Sequence, residues 1–261
     1  MFGAIAGDVI GSYYEHYPTK RLDFDLFPEQ ATFTDDTVLT LAVAQWLLNE
    51  RTELASIFHR FVQKYPDAGY GTSFLSWANC TRTEPYESWA NGSAMRVSPV
   101  AYAASSLDET LALAKLSAEV THNHPDGIRG AQSVAAAVYL ARTGASKAEI
   151  QAYIEEHFLY DCSTPLAQIR PRYLFDVSCT GSVPQAIRSF LESTSFESAI
   201  RNAISLGGDA DTMACIAGAI AEPFYGSVPI DIRNKVTSYL PPHLIKLAQE
   251  FTGRFVLPND E

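Results

Sequence analysis

Residues Leu54, Ile57, Phe58, Phe61, Val62 and Tyr65 recur at the spacing of one face of an α-helix, and no stretch of similar length alternates apolar with polar residues as a half-buried strand must. One-sided stripes of this kind have to be buried against one another, so a chain built from them packs helix on helix. The spacing returns at Val134, Ala135, Val138 and Tyr139; at Ile150, Tyr153 and Ile154; and at Ile187, Phe190 and Leu191. It returns again at Ile216, Ala217, Ile220, Ala221 and Phe224, and at Leu244, Leu247, Ala248 and Phe251. Ser106, Ser146 and Ser182 each precede Glu109, Glu149 or Gln185 at the distance of a capping box, and Gly144 and Gly207 stand where helices should stop. Asn91-Gly92 and Asp126-Gly127 separate helical segments, so neither reads as a hairpin turn. The expected fold is all-α, with about ten helices in a single compact orthogonal bundle and one domain over residues 1–261. Residues 16–33, 66–106, 121–128 and 159–181 read as loops, and long loops in a compact helical domain tend to line a functional site.

Charge and targeting narrow the function classes. Nineteen Lys and Arg against 30 Asp and Glu leave a net charge of -11, a field that repels a phosphate backbone, so non-specific nucleic-acid binding is not expected. The longest run without a charged residue, 68–81, is too short and too polar to span a bilayer. Met1 to Asp8 lacks the basic opening of a secretory signal, so the expectation is a cytoplasmic protein with no membrane association. Cys80, Cys162, Cys179 and Cys215 form no C-x-x-C pair and read as free thiols. The phosphate loop, the dinucleotide fingerprint, the serine elbow and the zincin helix are all missing from the sequence.

Two acidic clusters of like construction remain. Phe33-Thr34-Asp35-Asp36-Thr37 precedes an apolar helix, and Gly207-Gly208-Asp209-Ala210-Asp211-Thr212 lies between two helices. Asp and Thr at a helix N-terminus are ordinary caps, which accounts for either cluster alone. Two clusters together offer hard oxygen ligands, and their carboxylates would repel one another unless cations sat between them; that points to Mg²⁺ or Mn²⁺ in a two-metal site. A third acidic element, Gly7-Asp8-x-x-Gly11-x-x-x-Glu15, reads equally as a glycine-rich helix packed on a neighbour, with Asp8 a cap. His122-Asn123-His124 with Asp126 is weak as a zinc site. Trp77, Trp89 and Tyr86 suit either core packing or base stacking.

GDVIGSYYE, FTDDT, NGSAMRVSP, THNHPDG and GGDADTMACIAGAIAEPFYG, in that order from residue 3 to about 226, resemble the ADP-ribosylglycohydrolase family, which includes dinitrogenase reductase-activating glycohydrolase. The resemblance implies that Thr34, Asp35 and Asp36 with Asp209, Asp211 and Thr212 bind two Mg²⁺ ions, Mn²⁺ being the alternative. It implies that Glu15 approaches metals and ribose, and that Asn91, Gly92, Ser93, Ala94, Met95 and Arg96 hold the diphosphate and distal ribose. A loop of small residues also makes physical sense there as a nest of backbone N–H groups, although where the family often has Gly this chain has Ala90. Arg96 either contacts phosphate or neutralises a buried carboxylate. His122 matches a cleft position, and Gly181 and Ser182 a segment lining the ribose pocket.

The implied activity is a metal-dependent hydrolase that frees ADP-ribose from a modified acceptor, an arginine on protein, by cleaving the bond at C1 of the terminal ribose. Glu15 or Asp36 would serve as base. The partner is an ADP-ribosylated protein or small ADP-ribosyl substrate, and the chain is expected to act as a monomer. The alternatives are a non-catalytic ADP-ribose binder or crystallin-like structural protein, and a metal-dependent phosphohydrolase.

Overall fold

The computed structural model describes residues 1–49, 51, 53–80 and 83–256. Its helices are α1 (Phe2–His16), α2 (Asp35–Leu48), α3 (Leu54–Lys64), α4 (Thr72–Ala78), α5 (Gly92–Met95), α6 (Val100–Ala103), α7 (Leu107–Glu119), α8 (Pro125–Arg142), α9 (Lys147–Phe158), α10 (Leu166–Ile169), α11 (Cys179–Leu191), α12 (Phe196–Ile204), α13 (Ala210–Tyr225), α14 (Ile230–Thr237) and α15 (Pro242–Phe255). The all-α expectation holds: among the described residues the only extended pairing is a single antiparallel bridge between Ala90 and Ser178. Among the described residues no helix is long and apolar enough to cross a membrane.

Helices α1 and α13 form the centre, and glycine explains how closely they meet. Gly3, Gly7 and Gly11 recur every fourth residue and so share one face of α1. A Cβ at Gly7 would stand 2.0 Å from the Ala214 carbonyl oxygen, and one at Gly3 2.3 Å from that of Gly218. The two backbones touch where side chains normally keep helices 8–10 Å apart. Both helices are buried nearly all round, α13 from Ala210 through Ala221 without a break, and α2 joins them with its own buried run from Asp36 to Ala44. One apolar core joins residues from Met1 to Phe251.

Some starts and stops follow the sequence and some correct it. Ser146 and Glu149 make both halves of a capping box. Ser106 caps α7 through the Glu109 N–H, while the Glu109 carboxylate turns instead to Ser105. Gly144 and Gly207, both at positive φ, follow α8 and α12. The cap expected at Ser182 lies elsewhere: α11 starts a turn earlier, its first turn capped by Ser178, so Ser182 and Pro184 are interior. Fifteen helices among the described residues exceed the ten expected, largely because α4, α5, α6 and α10 fall in stretches read as loops; three of these are single turns of four residues, too short to show a period.

Candidate active site

Asp8 organises the site from inside α1. It is fully buried, and instead of capping its own helix it caps the next one. Its Oδ2 accepts from the Thr34 N–H at 3.0 Å, from the Thr37 N–H at 3.1 Å and from the Thr37 hydroxyl, while its Oδ1 accepts from the Thr34 hydroxyl at 2.7 Å. The start of α2 is thereby fixed on α1, and Asp35 and Asp36 occupy its first turn. Asp209 and Asp211 open α13, which the glycine contact holds on the same face of α1.

The two acidic loops, far apart in sequence, therefore meet. Carboxylate oxygens of Asp8, Asp36 and Asp211 lie within 4.8 Å of one another, and so do those of Glu15, Asp209 and Asp211. Asp211 belongs to both groups. Oxygens sharing one octahedral Mg²⁺ at about 2.1 Å would stand about 3 to 4 Å apart, so each group has the dimensions of a cation site. Thr212 donates to Asp36 Oδ2 at 3.2 Å. Asn91 donates to Asp209 Oδ2 at 2.7 Å and to the Ser182 hydroxyl at 3.1 Å.

The protein offers this cluster little positive charge: His16 Nδ1 lies 3.6 Å from Glu15. Among the described residues no Lys or Arg forms an ion pair with any of these carboxylates. Burial, and then repulsion by Asp211, push Asp8 up to about 7 and hold Asp35, Asp36 and Asp209 well above the usual carboxylate range. Burial and Glu15 push Asp211 up to about 6, and Glu15 itself is raised by burial. Asp36 Oδ1 is buried with no hydrogen-bond partner. An orphaned buried oxygen amid mutually repelling carboxylates is a donor set that fits hard divalent ions.

Above the cluster opens a cleft of about 710 Å³, whose floor includes Glu15, Thr34, Asp35, Asp36, Asp209, Asp211 and Thr212. Asn91, Gly92, Met95, Arg96 and His122 line one wall, and Trp89 and Phe175 stand at its mouth, 50% and 56% exposed. The volume is that of a small-molecule site.

Several of the residues expected at the substrate are placed away from the cleft. Ser93 is fully buried and donates to the Gly127 carbonyl, away from the cleft. Gly181 and Ser182 do not line it either: Ser182 holds Asn91, and the Gly181 carbonyl accepts from the Tyr173 hydroxyl. Residues 92–95 form a helical turn rather than an open nest. Among the described residues Arg96 pairs with no carboxylate; it donates to the Ser117 carbonyl and the Thr121 hydroxyl with its guanidinium over Phe58. Trp77 is core, while His124 caps α8 through the Asp126 N–H. Asp8 joins this cluster although its acidic element reads from sequence equally as a packed helix with Asp8 its cap. The signal available for it is the seven-residue spacing to Glu15, two turns of one helix and hence one face.

Known proteins resemble this chain over most of its length. The family model described as ADP-ribosylglycohydrolase matches residues 1–260. ADP-ribosylhydrolase ARH3 of Mus musculus is 32% identical over 87% of this chain and 82% of its own, and that of Homo sapiens 30% identical over 87% and 84%. ADP-ribosylarginine hydrolase Tri1 of Pseudomonas putida (strain GB-1) is 26% identical over 97% and 77%. A solved structure described as an ADP-ribosylglycohydrolase-related protein complex shares the fold, with a TM-score of 0.71 at 22% identity over 95% of each chain.

Proposed function

We propose, from the premise that this chain belongs to the ADP-ribosylglycohydrolase family, that it hydrolyses the bond between C1 of the terminal ribose of ADP-ribose and a modified arginine. The observation that carries this reading is the convergence of residues 34–36 and 209–212 on Asp8 and Glu15 at the floor of a cleft large enough for a nucleotide sugar. Arginine is the acceptor named by the Pseudomonas putida relative, and a guanidinium suits a cleft whose walls include Asp35, Asp67 and Glu87 as well as Glu15.

Asp8, Asp36 and Asp211 would hold one Mg²⁺, and Glu15, Asp209 and Asp211 the other, with Thr34, Asp35 and Thr212 at the margin. Bound there, the ions would bind the ribose 2- and 3-hydroxyls and stabilise developing charge. The remaining work falls to side chains. Asn91, held by Ser182, fixes Asp209. Of the two candidate bases, Glu15 keeps a side chain 30% exposed whereas Asp36 is buried, so Glu15 takes the proton from the attacking water. Water adds at C1 as the bond to the acceptor nitrogen breaks, and the departing guanidine takes up a proton. The exposed ring of Trp89 gives the adenine a face on which to stack.

Purified protein incubated with peptides ADP-ribosylated on arginine or on serine, with Mg²⁺ or with a chelator, tests the reading by product mass. Intact ADP-ribose from the arginine peptide, in Mg²⁺ alone, is the expected result. Release from serine only moves the acceptor, AMP identifies a phosphohydrolase, and chelator-insensitive turnover removes the metals from the reaction.

A further inference from the structure

Behind the cleft wall, three buried side chains form a line of hydrogen bonds that the hydrolytic scheme does not use. Arg96 follows α5 and is fully buried. Its Nη2 donates to the Ser117 carbonyl at 3.0 Å, in the last turn of α7, and to the Thr121 hydroxyl at 2.8 Å. The Phe58 ring, 4.5 Å from the guanidinium carbon, packs against the guanidinium. Thr121 Oγ1 in turn lies 2.7 Å from His122 Nδ1.

Donor and acceptor counting assigns the protons along this line, since an Nδ1–H donating to Thr121 would leave the buried hydroxyl proton without an acceptor. A guanidinium only donates, so the Thr121 oxygen is the acceptor in its contact with Arg96. The single hydroxyl proton then needs an acceptor, and among the described residues His122 Nδ1 is the one within reach. Nδ1 is therefore the bare nitrogen of the imidazole, and the ring proton sits on Nε2. Burial and the charge of Arg96 both hold the His122 pKa well below its usual value, so the ring is neutral. Nε2 is directed at Gly92: a Cβ there would meet it at 3.1 Å, and Gly92 and His122 both line the cleft.

We propose that Arg96 and Thr121 are positioning residues that lock His122 as its Nε2–H tautomer, so that the wall beside Gly92 presents substrate with a hydrogen-bond donor and never with an acceptor. The chemistry such a wall selects is an oxygen acceptor, a phosphate or sugar oxygen. The identity of that ligand rests on the ADP-ribose reading above; the tautomer does not.

Two-bond proton–nitrogen correlation spectra of protein labelled with ¹⁵N-histidine read the tautomer directly, without substrate. Wild-type His122 is expected as pure Nε2–H. Thr121→Val, which keeps the shape and deletes the hydroxyl, is expected to populate the Nδ1–H form and to raise KM for an ADP-ribosylated substrate about tenfold with kcat within about twofold. Thr121→Ser should restore both. A wild-type ring protonated on Nδ1, or a Thr121→Val spectrum unchanged at His122, overturns the assignment, and the wild-type spectrum alone decides it if Thr121→Val fails to fold. Absence of turnover by wild-type protein counts against the ADP-ribose reading alone.

Discussion

Asp211 is the residue on which both carboxylate groups depend, because its oxygens complete the set with Asp8 and Asp36 and the set with Glu15 and Asp209. Asp211→Asn should lower hydrolysis about 10³-fold. The same change removes a charge that burial opposes, so in chelator the variant should melt above wild type, a pairing of lost activity with gained metal-free stability that simple misfolding does not give. Asn91→Ala acts one step out, by freeing Asp209, and should weaken metal affinity or activity about 10- to 100-fold. At this scale the sequence displays the residues that stand in runs, Thr34 to Asp36 and Asp209 to Thr212, because two such acidic runs in one chain exceed what helix capping requires. It shows Asp8 but leaves its role open, because its partners Thr34 and Thr37 are brought to it by tertiary packing. Ser93 and Ser182 sit in the right segments but turn inward, and side-chain direction is fixed by neighbours such as Gly127 and Asn91.

At the scale of elements, the α1 to α13 contact sets the register of the site, since it places Asp8 and Glu15 opposite Asp209 and Asp211. Gly7→Ala would drive a methyl to 2.0 Å from the Ala214 carbonyl and should cost about 3 kcal/mol or more, with metal binding lost as α13 is displaced. Gly253, in α15, is the matched control because a Cβ placed there would meet nothing within 4 Å: Gly253→Ala should stabilise by about 0.5 kcal/mol. Thermal unfolding of the two variants beside wild type checks both. Helices with a one-sided stripe, such as α3, are legible from the chain alone. Single turns such as α5, which carries the cleft wall, are not, because four residues cannot display a period of 3.6. The close approach of α1 is half legible, since Gly3, Gly7 and Gly11 announce a small-residue face but do not say which helix fills it.

For the whole molecule, the cluster ties stability to pH and to metal. Without metal, Asp8 and Asp211 titrate near 7 and 6 in the fold but near the ordinary 3.8 in the unfolded chain. Between those values the folded state binds more protons than the unfolded one, so stability is greatest below about 4 as far as these groups are concerned and falls as pH rises to about 7. In chelator the melting temperature should therefore drop between pH 5 and pH 8, and Mg²⁺ should abolish that drop by supplying the missing positive charge. The measurement that bears most directly on the site is an anomalous difference map from crystals grown with Mn²⁺. Two peaks are expected, one among Asp8, Asp36 and Asp211 and the other among Glu15, Asp209 and Asp211; a map with no peak between these carboxylates, at saturating Mn²⁺, would contradict the metal-centred account.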